Sequence, residues 1–245
     1  MVVVDLNADL GEGFPFDEEL LDIVTSANVA CGFHAGDRAT MRTACEHCVA
    51  HGVRIGAQPS YRDREGFGRR DLGVSVDTLI DDLEEQVAAL LDAAARAGAK
   101  VAYLKPHGAL YNRAAWDADR AGAVVEVASR HGLPVLGLPG SELLRLAELA
   151  GLTARREFFA DRGYDDGGRL VPRGDERALV TDPAVAAARV RTLVERGTVL
   201  SVSGRSVPVA ADSICVHGDT PGAVAVARGV RGALAALGVP VAAVA

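Results

Sequence analysis

The chain has 245 residues, 49% of them hydrophobic and 24% charged, a composition that belongs to a globular protein rather than a disordered one. Its formal net charge of −7 argues against nucleic acid as the main partner, and no apolar run approaches the roughly 20 residues of a membrane span. With no secretion-type leader in its opening residues and four cysteines in no disulfide pattern, reduced thiols in the cytoplasm are expected.

The first predicted strand, 2–9, carries Asp5, Asn7 and Asp9 at a spacing of two. Alternation puts all three on one face. An unpaired buried carboxylate is costly, so the row asks for a cation, a ligand or other polar side chains. A purely structural hydrogen-bond network is the competing reading. Glu12 follows between Gly11 and Gly13. A second strand, 27–33, supplies Asn28 and leads to His34 and Asp37. The helical pattern at 38–51 includes Cys45, His47, Cys48 and His51, which spread over about 160° at 100° per residue. That is too wide for one ion, and Cys45 and Cys48 read as packing residues. Strand 53–58 ends at Gln58.

Residues 59–76 form a long connection with Arg62, Arg64, Arg69 and Arg70. Guanidinium forks there suit an anionic ligand; pairing with the loop's own Asp63, Glu65 and Asp71 is the alternative. Helix 77–97 shows Leu79, Leu83, Val87, Leu90 and Ala94 at helical spacing, closed by Gly98. Strand 101–106 places Tyr103 and Lys105 on one face, with His107 next in step. A helix at 117–131, a strand at 134–138 and a helix at 141–150 follow. Strand 155–160 leads through Glu157 to Asp161 and Arg162, and a second long connection, 161–178, holds Tyr164 and Arg173. A helix at 182–196 and strands at 198–202 and 213–217 come next. The last strand puts Ser213, Cys215 and His217 on one face before Asp219 and a helix at 221–237.

Repeated strand–helix units imply parallel strands covered by helices. A doubly wound sheet and a barrel both satisfy this. The barrel is favoured because polar residues end many strands, not two at a switch point. No linker divides the chain, so one (β/α) barrel domain over 1–245 is expected. Hydrolysis by a metal-bound water needs about three ligands and an open position, which Asp9, His34, His107 and His217 could supply. Metal-free acid–base catalysis could use the same residues. The sequence contains no Gly-x-Ser-x-Gly elbow and no phosphate-binding P-loop.

Asp-Leu-Asn-Ala-Asp-Leu-Gly-Glu-Gly, Ser-Ala-Asn-Val-Ala-Cys-Gly-Phe-His-Ala-Gly-Asp, Asp-Arg-Glu-Gly-Phe-Gly-Arg, Leu-Lys-Pro-His-Gly-Ala-Leu-Tyr-Asn, Phe-Ala-Asp-Arg-Gly-Tyr and Val-His-Gly-Asp together resemble the LamB/YcsF family, in order along nearly the whole chain. The resemblance implies a seven-stranded, TIM-barrel-like (β/α) barrel of the glycoside hydrolase/deacetylase type. It also implies ATP-dependent opening of 5-oxo-L-proline to L-glutamate by the A subunit of a 5-oxoprolinase, working with subunits B and C. On that reading Asp9, His34, Lys105 and His107 are catalytic candidates, with Asp9 or His107 activating water. Asp5, Asn7, Glu12, Asn28, Gln58, Arg62, Arg64, Arg69, Tyr103, Asp161, Arg162, Arg173 and His217 are substrate-binding candidates. Lys105 and loop arginines would hold a carboxylate or a phosphorylated intermediate. ATP is expected as co-substrate, bound unconventionally here or by a partner; a divalent metal and a homo-oligomer stay open.

The chain departs from the family pattern at Gln58, where Ile-Gly-Ala-His-Pro-Ser is usual. Glutamine cannot take up a proton near neutral pH and ligates transition metals poorly. Two rival readings stand beside this one. One is a metal-dependent deacetylase or carbohydrate hydrolase with an ion at Asp9, His34 and His107. The other is a non-catalytic subunit that binds small ligands.

Overall fold

The computed structural model describes residues 3–243; Val2, the start of the first predicted strand, lies outside them. In chain order the elements are β1 (Asp5–Leu10), α1 (Asp17–Leu21), β2 (Ser26–Ala30), α2 (Arg38–His51), β3 (Arg54–Gln58), α3 (Val76–Arg96), β4 (Val101–Leu104), α4 (Gly108–Ala114), α5 (Ala118–His131), β5 (Val135–Gly137), α6 (Glu142–Leu149), β6 (Ala154–Phe159), α7 (Pro183–Arg196), β7 (Thr198–Leu200), β8 (Ser206–Pro208), β9 (Ser213–Val216) and α8 (Ala223–Ala236). Seven strands close a parallel barrel in the order β1-β2-β3-β4-β5-β6-β9. The remaining two strands are not part of it. The strand predicted at 198–202 is β7, which pairs antiparallel with β8 as a separate ribbon. Val199 is buried while Leu200 is exposed, an alternation that marks a strand without saying which sheet it joins.

The helices form where caps and apolar spacing coincide. Ser75 accepts from the Thr78 amide at the start of α3, and Leu79, Leu83, Val87, Leu90 and Ala94 are buried on its inner face. Asp37 caps α2 through the Thr40 amide, and Cys45 and Cys48 are fully buried there, as packing residues should be. Two short helices, α1 and α4, have no counterpart in the sequence reading. No helix among the described residues is long and apolar enough to cross a membrane.

Outward-facing strand residues such as Leu6, Ala8, Val29, Ile55, Leu104, Phe158 and Ile214 pack beneath the helices. The inward face is polar, unlike the layers of branched aliphatics usual in such barrels. Asp5 accepts from Thr25, Ser26 and Ser213. Asn7 donates to Glu157 at 3.1 Å and Ser213 at 2.7 Å. Asn28 donates to Asn7 at 2.7 Å and Asp9 at 2.8 Å, and accepts from the Tyr103 hydroxyl at 2.6 Å. Such a network is tolerated because its members satisfy one another. Tyr103 crosses the interior so close to β3 that a Cβ on Gly56 would overlap its ring.

Candidate active site

Polar side chains at the C-terminal ends of several strands open into a cavity of about 410 Å³, lined also by the loops after β3, β4 and β6. Its floor is an ion-pair cluster. Lys105, just past β4, lies 2.8 Å from Glu157 on β6 and 3.1 Å from Asp9 on β1, with all three side chains buried. Its ammonium also reaches Cys215 Sγ at 3.2 Å. Burial alone would lower the Lys105 pKa, but Asp9, Cys215 and Glu157 outweigh it and hold the group charged, well above its ordinary value. Burial likewise works to raise Asp9, yet Lys105, then His217 and His107, hold its carboxyl below the usual range. Asp9 is therefore ionised and fixed.

On one side of this floor stands a histidine with a defined tautomer. His217 follows β9, and its Nδ1 lies 2.9 Å and 3.1 Å from the two oxygens of Asp161, just beyond β6. The same carboxylate accepts from the His217 backbone amide at 2.9 Å and the Thr220 hydroxyl at 3.1 Å. Burial opposes ionisation of Asp161, but the charge, ring and backbone amide of His217, followed by the charge of Arg162, overcome it and lower the pKa. An ionised Asp161 makes Nδ1 the protonated nitrogen and leaves the Nε2 lone pair free. Asp161 is fully buried behind the ring while His217 lines the cavity.

On the other side His34 and His107 stack with ring centroids 4.0 Å apart and planes 9° from parallel. Glu12 Oε1 lies 3.6 Å from His34 Nε2 and 3.4 Å from His107 Nδ1. The other His107 nitrogen, Nε2, meets the Phe67 carbonyl at 3.1 Å, and the Phe67 ring packs edge-on against both imidazoles. Phe67 has a positive φ of 54°, and its loop is pinned because Gly68 accepts from the Ala109 amide at 2.8 Å. A Cβ on Gly108 would overlap that same Gly68 oxygen. Burial pushes His34 down to about 4, and burial together with His34 puts His107 well below its ordinary value. Burial, Asp9 and Asp219 raise Glu12 well above the carboxylate range. With both imidazoles uncharged near neutral pH, their contacts with Glu12 are not ion pairs.

The three ligand atoms of Glu12, His34 and His107 lie within 4.8 Å of one another, and both His34 nitrogens and Glu12 Oε1 are buried without a hydrogen-bond partner. The spacing invites a metal, but the ring orientation does not fit one. An ion midway between parallel rings lies up to about 2 Å out of both planes, as far as a whole metal–nitrogen bond of ~2.0–2.1 Å. It would meet each imidazole on its face instead of along the lone pair. Asp9, the third ligand of the sequence reading, is committed to Lys105 and Asn28.

Of the residues singled out from sequence, Asp9, Gln58, Arg69, Lys105, His107, Arg162, Arg173 and His217 line the cavity. Asp5, Asn7, Asn28 and Tyr103 lie deeper, within the interior network, and Glu12, His34 and Asp161 stand behind the lining. Arg62 turns away to Asp82 and Glu85 on α3, each at 3.0 Å, over the ring of Phe33. Arg64 donates to the carbonyls of Gly32 and Gly36. Neither of these two lines the cavity, which corrects their expected place in the site. The same wall contains residues the sequence reading missed: Tyr111, Asn112 and Arg113 from α4, Trp116 beyond it, and Phe159, Arg169 and Val171. Leu110, Tyr111 and Ala114 at helical spacing were the available signal for α4.

A closed parallel barrel with its polar cluster at the strand C-termini defines a (β/α) barrel of the kind that places its chemistry on that face. The LamB/YcsF family model matches residues 4–245, and the chain belongs to that family. It is 56% identical to a Streptomyces avermitilis protein named as the A subunit of 5-oxoprolinase, over 98% of this chain and 99% of that one. It is 50% identical to the Cutibacterium acnes protein of the same name, over 98% of both chains. Among solved structures, the lactam utilization protein from Thermus thermophilus superposes with a TM-score of 0.91 at 39% identity, covering 99% of this chain and 100% of that one. A family 4 carbohydrate esterase from Streptomyces lividans shares the fold, with a TM-score of 0.57 at 11% identity over 99% of this chain and 93% of that one.

Proposed function

We propose that this chain is the ring-opening subunit of an ATP-dependent 5-oxoprolinase, converting 5-oxo-L-proline to L-glutamate together with subunits B and C. The names of its relatives support the reaction class, and the four free, buried cysteines suit a cytoplasmic assembly. The observation that carries the chemistry is the Asp161–His217 pair beside the Asp9–Lys105 floor. His217 Nε2 takes a proton from water as the oxygen attacks the lactam carbonyl carbon, and Asp161 steadies the resulting imidazolium. Lys105 and the arginines that line the cavity face the negative charge carried on the amide oxygen. The imidazolium then returns the proton to the departing ring nitrogen as the carbon–nitrogen bond breaks. His107 serves less well as base, because its nitrogens face Phe67 and Glu12. A lactam resists attack, and ATP would activate it by phosphorylating the amide oxygen, releasing ADP; water attack and departure of the ring nitrogen then leave an acyl phosphate, which a second water cleaves to the carboxylate and inorganic phosphate. With no phosphate-binding loop in this chain, the phosphorylation is assigned to subunits B and C.

The test is glutamate release from 5-oxoproline plus ATP by the chain with its B and C partners. His217→Gln should lower kcat by about 10²–10⁴-fold with the circular dichroism spectrum unchanged. No glutamate from the wild-type complex would sink the reaction; undiminished turnover by the variant would sink the role of His217. The metal-dependent deacetylase reading is tested by elemental analysis of protein purified without added metal. From the stacked rings no stoichiometric ion is expected, and one equivalent of bound zinc would overturn that expectation.

A further inference from the structure

The histidines and the Asp9–Lys105 floor occupy one end of the cavity, and the chain beyond them builds a different kind of wall. His107 caps α4 at the floor, and the helix runs Gly108–Ala114. At about 1.5 Å per residue its far end stands roughly 10 Å beyond His107. Trp116 follows there. It lines the cavity and yet is 46% exposed, with the Arg169 guanidinium 4.7 Å from its ring centre. Leu170 and Asn112 stand beside it on the same lining. An exposed indole next to a leucine and a side-chain amide offers apolar contact and hydrogen bonding together, the two things a peptide segment needs. A second depression, of about 370 Å³, adjoins the cavity through Asn112, Arg113 and Trp116, so the path continues past the indole. The basic side chains of the cavity, moreover, are matched by as many carboxylates, among them Asp9 and Glu157 at Lys105, and Asp71 and Asp117 at Arg113. An amide-linked carboxyl therefore suits this wall as well as a free one.

We propose that the wall around Trp116 is an outer subsite for the residues that follow the lactam in a 5-oxoprolyl peptide, so that the ligand class of this barrel includes peptides whose N-terminus is cyclised. This rests on the lactam-opening reading, which seats the ring beside His217. A single ring seated there does not reach Trp116, whereas an extended chain gains about 3.3–3.6 Å per residue and covers the distance in about three residues. The cavity volume of about 410 Å³ lies within the range of roughly 300–1,000 Å³ that holds drug-sized ligands, and a free five-membered lactam fills only part of it. Ring opening of such a peptide follows the same course, with ATP consumed as for the free ring. Water adds to the lactam carbon, and the nitrogen leaves as the peptide's N-terminal amine with the peptide bonds intact.

Trp116 is the chain's one tryptophan, so its fluorescence reports on this wall alone. Calorimetric titration of the full chain with 5-oxoproline, 5-oxoprolyl-alanyl-leucine and alanyl-leucine is paired with emission spectra. The tripeptide should bind about tenfold or more tightly than 5-oxoproline, and should shift the Trp116 emission to shorter wavelength with the same midpoint. Trp116→Ala should bring the ratio of the two affinities from about ten to near one. Leu149→Ala, at an exposed position on α6 outside the cavity, should leave that ratio in place. If Trp116→Ala unfolds, as melting would reveal, the emission titration of the unaltered chain still decides. A tripeptide no tighter than 5-oxoproline, or bound without an emission change, overturns the subsite, as does a ratio that survives Trp116→Ala. Alanyl-leucine binding as tightly as the tripeptide also overturns it, because the lactam would then play no part. Glutamate release from 5-oxoproline by the complex with subunits B and C is scored separately. Release without a preference for the tripeptide sinks the outer subsite alone; the preference without release sinks the ring-opening reading and leaves a subsite for 5-oxoprolyl peptides standing.

Discussion

Replacing Lys105 with methionine removes one ammonium and leaves two buried carboxylates facing its stem. Glu157 and Asp9 lie 2.8 Å and 3.1 Å from Nζ, and Asn28 and Asn7 supply the other polar contacts around them. Breaking a buried pair by deleting one partner costs about 3–5 kcal/mol. In a chain of this size that corresponds to a fall in Tm of roughly 6–20 °C. The loss should depend on pH in a definite direction. In the wild type Lys105 holds the Asp9 pKa below its ordinary value against the effect of burial. The stabilisation from Asp9 is therefore present above the unfolded pKa and lost only as pH falls through the folded one. Without Lys105, burial is opposed only by the weaker pull of the histidines and Asn28, and the folded pKa moves above the unfolded one. Asp9 then destabilises the fold progressively as pH rises above its unfolded pKa, so the deficit in Tm, already present near about pH 4 because the wild type keeps its stabilisation there, should widen towards about pH 8. Melting of both proteins followed by circular dichroism across that range is the assay. An equal Tm at the higher pH would refute the compensating role of the ammonium and the inward placement of this strand end.

Three further outcomes are expected. Asp161→Asn keeps the size of the side chain but removes the charge that selects the His217 tautomer, so kcat should fall by about 10²-fold or more while substrate affinity holds; an unchanged kcat would detach the pair from the chemistry. Gln58 lines the cavity with its amide buried, beside His34. Gln58→His restores the family pattern, and glutamate release should rise and gain a titration near the reference histidine pKa of about 6.5. A flat pH–rate comparison would leave position 58 an orienting role. Gly56→Ala drives a methyl into the Tyr103 ring and should cost about 1–3 kcal/mol by overpacking. Urea denaturation measures it, and a neutral result would mean that Tyr103 has room to withdraw.

How much of this was legible in the chain itself differs from residue to residue. The inward row of Asp5, Asn7 and Asp9 could be read directly, because alternation along a strand is a property of the local backbone. The same holds for Tyr103 and Lys105, for Ser213, Cys215 and His217, and for the buried faces of α2 and α3. Strand 198–202 was equally legible as a strand and still misplaced, since local pattern does not name the neighbour it pairs with. Within one arginine-rich loop, Arg62 and Arg69 look alike in sequence. The first meets Asp82 and Glu85 on α3, and the second meets Asp219 beyond β9. Only the path of the loop across the barrel mouth separates them.

By itself, then, the sequence determined the number and kind of most elements, which side chains enter the barrel, and the family. These follow from periodicity and from motif order, both carried by neighbouring residues. Tertiary structure alone decided which of those polar groups meet. Closure of the ring brings β6 against β9 and so sets Asp161 on His217. It also stacks His34 on His107 in an orientation unsuited to a shared ion, and gathers arginines from two distant loops around Asp219. Such pairings are a matter of distances across the barrel, and no local stretch of chain encodes them.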